Sequence, residues 1–258
     1  MNSEPSSATD CTMDACASSS CSSASSAACV TATNVAIEAN NIACDLLNIV
    51  RPDAAACAIE VFSLSLSLLR KISQSAVSPD EIDFVKLATE ARWKIQGVVQ
   101  AVSATPTKRA SSKSASRVIK MSFVNGPFQV TKEFLNKNSA TLLYNMGLAC
   151  LVAGTTSALS KSVSLFDLAY RLGADSSSIH NALKGDSTIQ RICMDSLNLT
   201  AQLHHTRFEF AQAEERLQKL RALISSLPPT ENPEEQKTRY HFWILTDLLQ
   251  RPCMAAAA

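Results

Sequence analysis

The 258-residue chain has no run of 18 consecutive apolar residues, so the sequence leads us to expect no membrane-spanning helix. The longest candidate, Ala54–Leu69, is broken by Glu60, Ser63, Ser65 and Ser67. Glycine is scarce, with 6 residues, and aromatics make up only 5 %. That balance favours packed helices over a turn-rich β-sandwich. An excess of either charge is missing too. The 24 Lys and Arg against 23 Asp and Glu leave +1, so no bulk field draws the chain toward nucleic acid or an anionic membrane.

The familiar catalytic signatures are also missing. No G-x-x-x-x-G-K-[ST], G-x-G-x-x-G or H-E-x-x-H occurs, which removes the usual phosphate-cradling loops and the helical zinc-protease motif. The four histidines are His180, His204, His205 and His241. On a helix, the adjacent pair His204–His205 would point about 100° apart and would not readily share a metal. Nine cysteines are an odd number, and no basic stretch followed by an apolar one opens the chain. Reduced thiols in the cytoplasm or nucleus are therefore expected. Cys11, Cys16, Cys21 and Cys29 follow C-x4-C-x4-C-x7-C with no nearby His, which is not a zinc spacing. Cys150 and Cys193 fall on apolar helical stretches and read as packing residues. No catalytic residue, cofactor or metal site is expected.

What the chain does have is apolar spacing at a helical period. In Leu143–Ala169, the residues Leu143, Met146, Gly147 and Cys150 recur at helical steps, followed after a small-residue bend by Ser162, Phe166 and Ala169. Gly147 lets a second helix come close, and Phe166 fills the space between them. The pattern describes a helical hairpin. Ala39, Ile42, Ala43 and Leu46, then Ala58, Phe62 and Ser65, repeat it. Ala43 and Phe62 lie 19 positions apart, as do Gly147 and Phe166. A third copy reads Leu197, Thr200, Ala201, His204, then Ala213, Leu217, Leu220. Ser78-Pro79-Asp80-Glu81 reads as a capping box opening a helix through residue 104. Asn138 or Ser139 is read as the cap of the helix that carries Gly147. Asn232-Pro233-Glu234-Glu235 opens a terminal helix after Pro228-Pro229.

Residues 1–30 are Ser, Ala, Cys and Thr with little of size to bury, so they are read as a disordered tail. Residues 31–250 form one helical domain, and 251–258 a frayed tail. A polar linker, 103–117, interrupts the domain. After it the period changes: Ile119, Met121 and Phe123 alternate with Lys120 and Ser122, and Asn125-Gly126 marks a turn before Phe128 and Val130. One short strand or hairpin is expected near 118–131.

The three copies resemble the tetratricopeptide repeat, a helix pair of about 34 residues whose small residues set the helix contacts. Asn40-Asn41 with Leu46-Leu47, LYNMGLA at 143–149, Phe166–Tyr170, Ala201–His204 and Phe242–Leu249 further resemble a small set of tetratricopeptide-like proteins from unicellular algae. That resemblance covers residues 33–258. It implies an all-α superhelix of antiparallel helix pairs with a scaffold role, and it offers no catalytic residues.

The expectation is a non-enzymatic scaffold that takes a peptide or partner helix from another protein in a groove. Tyr144, Asn145, Asn198, Gln202 and His205 are the candidate groove residues. The alternative is a phospho-regulated adaptor or switch. In it, linker 103–117 and the adjoining strand bind the partner, with Ser111 and Ser112 beside Lys108-Arg109 as modification sites. Neither reading calls for a membrane or nucleic acid.

Overall fold

The computed structural model describes residues 20–49, 51–75, 82–103, 118–125, 130–175 and 187–250. Eight helices account for most of these: α1 (Ser20–Leu47), α2 (Pro52–Ser75), α3 (Phe84–Ser103), α4 (Lys132–Ala153), α5 (Thr156–Asp175), α6 (Ser187–Thr206), α7 (Phe210–Ser226) and α8 (Pro233–Gln250). Among the described residues there is no strand. The protein is all-α.

Three consecutive helix pairs dominate the packing: α1 with α2, α4 with α5, and α6 with α7. Each pair is joined by a few residues, which makes its members antiparallel neighbours. The pairs meet in chain order, α2 against α4 and α5 against α6. Helix α3 folds back on α1 and α2 at one end, and α8 packs on α7 and α6 at the other.

The helix ends follow local chemistry. Thr131 caps α4 by accepting from the Phe134 N–H at 3.1 Å. The helix thus begins before Asn138, the cap expected from sequence. Asn138 lies inside it and donates to the Phe134 carbonyl at 2.8 Å. Gly154, at φ +68°, ends α4 in the left-handed conformation that glycine adopts without strain. Thr155 then caps α5 through the Ala158 N–H at 3.2 Å. Asp83 accepts from the Lys86 N–H at 2.9 Å at the head of α3; the capping box expected at Ser78–Glu81 lies outside the described residues. Asn232 opens α8, accepting from the Glu234 N–H at 3.1 Å. Helix α1 starts at Ser20, inside the span read as a tail.

The core is where the repeat pattern placed it. Ala39, Ala43, Ala58, Phe62 and Ser65 are buried in the first pair, and the Ser65 hydroxyl donates to the Ala36 carbonyl at 2.6 Å. Leu143, Met146, Gly147, Cys150, Ser162, Phe166 and Ala169 are buried in the second. Leu197, Thr200, Ala201, Ala213, Leu217 and Leu220 are buried in the third. A Cβ on Gly147 would sit 2.6 Å from the Phe166 ring, well inside van der Waals contact. By length and composition α2 is apolar enough to cross a membrane, with a mean hydropathy of 1.4 in its most apolar window. Here its apolar stripe, including Val61, Phe62, Leu68, Leu69 and Ile72, is buried against its neighbours.

Two thiols lie deep in this core. Burial pushes Cys44 up to about 12, with the Asp45 carboxylate adding to the shift, and burial alone pushes Cys193 up to about 12. Both stay protonated when folded, whereas in the unfolded chain they ionise near 9. Above pH 9 the unfolded state therefore binds fewer protons than the folded one, and stability falls as pH rises toward 12. The loss is up to roughly 1 kcal/mol per pH unit for each thiol. Urea unfolding from pH 8 to pH 11 is expected to show a steeper decline for the native chain than for Cys44→Ala/Cys193→Ala. Parallel declines would contradict it.

Candidate functional site: an asparagine-lined groove

One short strand or hairpin was expected near 118–131; residues 126–129 lie outside the described residues, and residues 118–125 form no strand. They pair with side chains instead. Asn34 of α1 donates to the Val124 carbonyl at 3.0 Å and accepts from the Val124 N–H at 2.9 Å. Asn41, also on α1, donates to the Met121 carbonyl at 2.9 Å and accepts from the Met121 N–H at 2.8 Å. Asn145 of α4 does the same with Ile119, at 2.8 and 3.0 Å. Each amide satisfies both backbone groups of one residue, as a neighbouring strand would.

The spacing explains why the chain is extended here. Asn34 and Asn41 are seven positions apart, about 10.5 Å along a helix. Their partners are three residues apart, about 10 Å of extended backbone. The segment therefore runs opposite in direction to α1. Because the two lengths agree, asparagines two turns apart can each hold one residue of a strand.

Behind this row sits a buried network. The Asn145 amide also donates to Asn40 Oδ1 at 2.9 Å, and Asn40 donates to the Ile119 carbonyl at 3.2 Å. The Cys44 thiol points at the same carbonyl, 3.6 Å away. Asn40 and Asn145 are fully buried. The outer side of the segment is held loosely. Ile119, Met121 and Val124 are half-buried, Phe123 is exposed, and Lys120 pairs with Asp45 at 2.7 Å on the surface. Seven asparagine-to-backbone bonds hold residues 118–124. At about 1 kcal/mol net each, and with Val118, Ile119 and Met121 packed half-buried against the core, they about balance the roughly 1–2 kcal/mol per residue needed to order the backbone. The segment is held, but with a small margin.

A cavity of about 670 Å³ lies between α6 and α8, lined by Arg191, Asp195 and Asn198 from the first and by Lys237, Tyr240 and His241 among others from the second. In the register of the repeats, Asn198 corresponds to the buried Tyr144 and Asn40, and Asp195 to the buried Thr141 and Ile37. The counterpart of Asn41 and Asn145 is Leu199, which is not among the lining residues, so the cavity is a separate opening from the asparagine row.

The five candidate groove residues fall in different places. Asn145 is at the centre of the row. Asn198 lines the open cavity and accepts from Gln202 Nε2 at 3.2 Å. Gln202 is half-buried beside it, and His205 packs edge-on against Phe210 at 5.3 Å between ring centres. Tyr144 is fully buried. Its ring lies 5.9 Å from that of Phe166, and its hydroxyl donates to Asp195 at 3.0 Å. Tyr144 therefore ties the second pair to the third from inside, and its removal is felt in stability. Tyr144→Phe leaves the nearly buried Asp195 carboxylate one donor short, with Arg191 Nε at 3.5 Å. A loss of about 2 kcal/mol is expected in urea unfolding; an unchanged midpoint would show the bond to be dispensable.

Sequence reasoning missed Asn34, Asn40 and Asn41 as site residues. A signal was present: Asn41 and Asn145 hold the same register in the first two copies, each two places after Ala39 and Leu143. The third copy has Leu199 there, and the row ends. Arg216 pairs with Asp167 of α5 at 2.9 Å in a mostly buried site, and Glu215 and Lys219 form a surface pair at 2.6 Å. Ser111 and Ser112 lie outside the described residues. Among the described residues, no three His, Cys, Asp or Glu side chains converge on a point that would hold a metal.

No family model, curated protein or solved structure matches the chain.

Proposed function

We propose that this protein is a non-enzymatic scaffold that binds an extended peptide from another protein. Its helix pairs would form a tetratricopeptide-like superhelix, with α1, α4 and α6 lining the concave side. One observation carries the reading: asparagines at matched register on α1 and α4 grip the backbone of an extended segment, residue by residue. Amide-to-backbone pairing is a general way to hold a peptide, because every residue but proline presents the same N–H and C=O. The open cavity between α6 and α8 offers separate room for further chain. Its Arg191, Lys237 and His241 beside Asp195 and Glu234 offer mixed polar contacts to a peptide, and no reacting group is needed for that role.

Peptide-display selection against the full chain tests this reading. Selected peptides are expected to lose binding to Lys237→Ala and Tyr240→Ala, exposed residues of the cavity lining, each of which should melt close to the native chain. A selection that returns no peptide, or peptides indifferent to both changes, would remove the groove from consideration.

The switch reading, in which linker 103–117 and the adjoining segment bind the partner, draws support from the exposed Phe123 and from the small margin holding that segment. Deleting 103–116 separates the two. Capture that depends on the linker favours the switch, and capture that survives favours the groove.

A further inference from the structure

We infer that residues 118–124 stand in for the partner's peptide, and that the ligand of the asparagine row binds by displacing them. This rests on the scaffold reading above and specifies its ligand. Every asparagine contact to the segment is made to main-chain atoms. Nothing in that pairing depends on the segment's being part of the same chain, so another strand with free N–H groups at the same three positions satisfies the row equally. The side chains hold it only in part: Val118, Ile119 and Met121 rest half-buried against the core, Val124 is half-buried, and Lys120 makes an exposed pair. The alternative, a permanent strap, would be expected to seal its apolar residues into the core as the helices do.

The occupant's side chains describe the ligand. It is an extended segment read in the order apolar, basic, apolar, any, any, apolar, matching Ile119, Lys120, Met121 and Val124. The basic residue meets Asp45 on the groove's edge. Proline is excluded at the first, third and sixth positions, where Asn145, Asn41 and Asn34 each need an N–H. The ligand runs opposite to α1. Lys120 and Ser122 of the internal segment face out, so its own sequence is a usable probe.

The experiment compares the full native chain with Ile119→Pro/Met121→Pro, which removes two of the N–H donors and expels the internal segment. The probe is a fluorescein-labelled peptide of residues 117–125. The expelled form is expected to bind it about tenfold or more tightly than the native chain, because self-occupancy lowers apparent affinity by the unoccupied fraction. Adding Asn145→Ala to the expelled form should abolish binding. Equal affinity in both forms overturns the inference while leaving the scaffold reading intact, since the peptide then binds elsewhere. No binding to either form overturns both. If the proline variant does not fold, amide exchange on the native chain decides. Excess peptide is expected to speed exchange at Ile119, Met121 and Val124, and unchanged exchange overturns the displacement.

Discussion

Phe166→Ala is expected to destabilise the protein by about 3–5 kcal/mol, the usual range for emptying a buried aromatic site. Phe166 has no exposed surface, packs tilted against Tyr144, and occupies the space above Gly147. For a chain of this length that corresponds to a fall of roughly 10 °C in melting temperature. The partner substitution makes the test sharper. Gly147→Ala adds a methyl 2.6 Å from the Phe166 ring, which costs about 1–3 kcal/mol of overpacking. That outweighs the helix-propensity gain of about 1 kcal/mol. When Phe166 is already alanine, the same methyl enters an empty space and should restore about 1 kcal/mol. The sign of the Gly147→Ala effect is thus expected to reverse between the two backgrounds, measured by thermal or urea unfolding in a double-mutant cycle. Additive losses would show that the ring and the glycine do not share one contact.

The legible part of this fold was the part fixed by short-range periodicity. Gly147 and Phe166, 19 positions apart, announced a close helix contact, and that contact is present. Ala43, Phe62, Ala201 and Leu217, marked by the same pattern, are buried, because a helix places residues three and four apart on one face whatever lies beyond. Helix starts were less legible. Asn138 and Ser139 look like caps, but Thr131 takes that role seven residues earlier, and nothing in the intervening sequence forbids helix. The site was least legible. Alternation at Ile119, Met121 and Phe123 signalled extended backbone, yet period alone does not say what pairs with it. Strand partners are the usual answer, and asparagines on a helix the rarer one. Finding them required matching a seven-residue helical step to a three-residue extended one, across separations such as the 90 positions between Asn34 and Val124. Tyr144 was misplaced for a related reason. On a helix packed on several sides, as α4 is against α2, α5 and α6, neighbouring positions can face solvent, the strap or the core, and spacing does not choose among them.

Asn145→Ala is expected to have the largest effect on the groove. Asn145 has no exposed surface, and its amide joins four groups: the Ile119 N–H, the Ile119 carbonyl, Asn40 Oδ1 and Cys44 Sγ. Alanine takes a partner from each, although the Ile119 carbonyl keeps Asn40 and the Cys44 thiol. Each buried polar group left unmet costs about 1–3 kcal/mol, so an immobile segment would lose several. The segment has another course, which is to leave the row and return its backbone to water. Release caps the loss of global stability at about 2–4 kcal/mol, since only the narrow holding margin and the remaining mismatch at Asn40 are forfeited. The two courses are distinguishable. If the segment leaves, trypsin should cut after the exposed Lys120 about tenfold or more faster than in the native chain, because cleavage follows the population of the open form. Asn41→Ala, which removes one half-buried amide and two bonds, should give a smaller rise, and Asn34→Ala one of similar size to Asn41→Ala. The order follows from burial: Asn145 is anchored inside the network, whereas the other two reach the segment from its edge. Equal cleavage rates in all three variants and the native chain would mean that these amides do not hold the segment, and the groove would lose the feature that defines it.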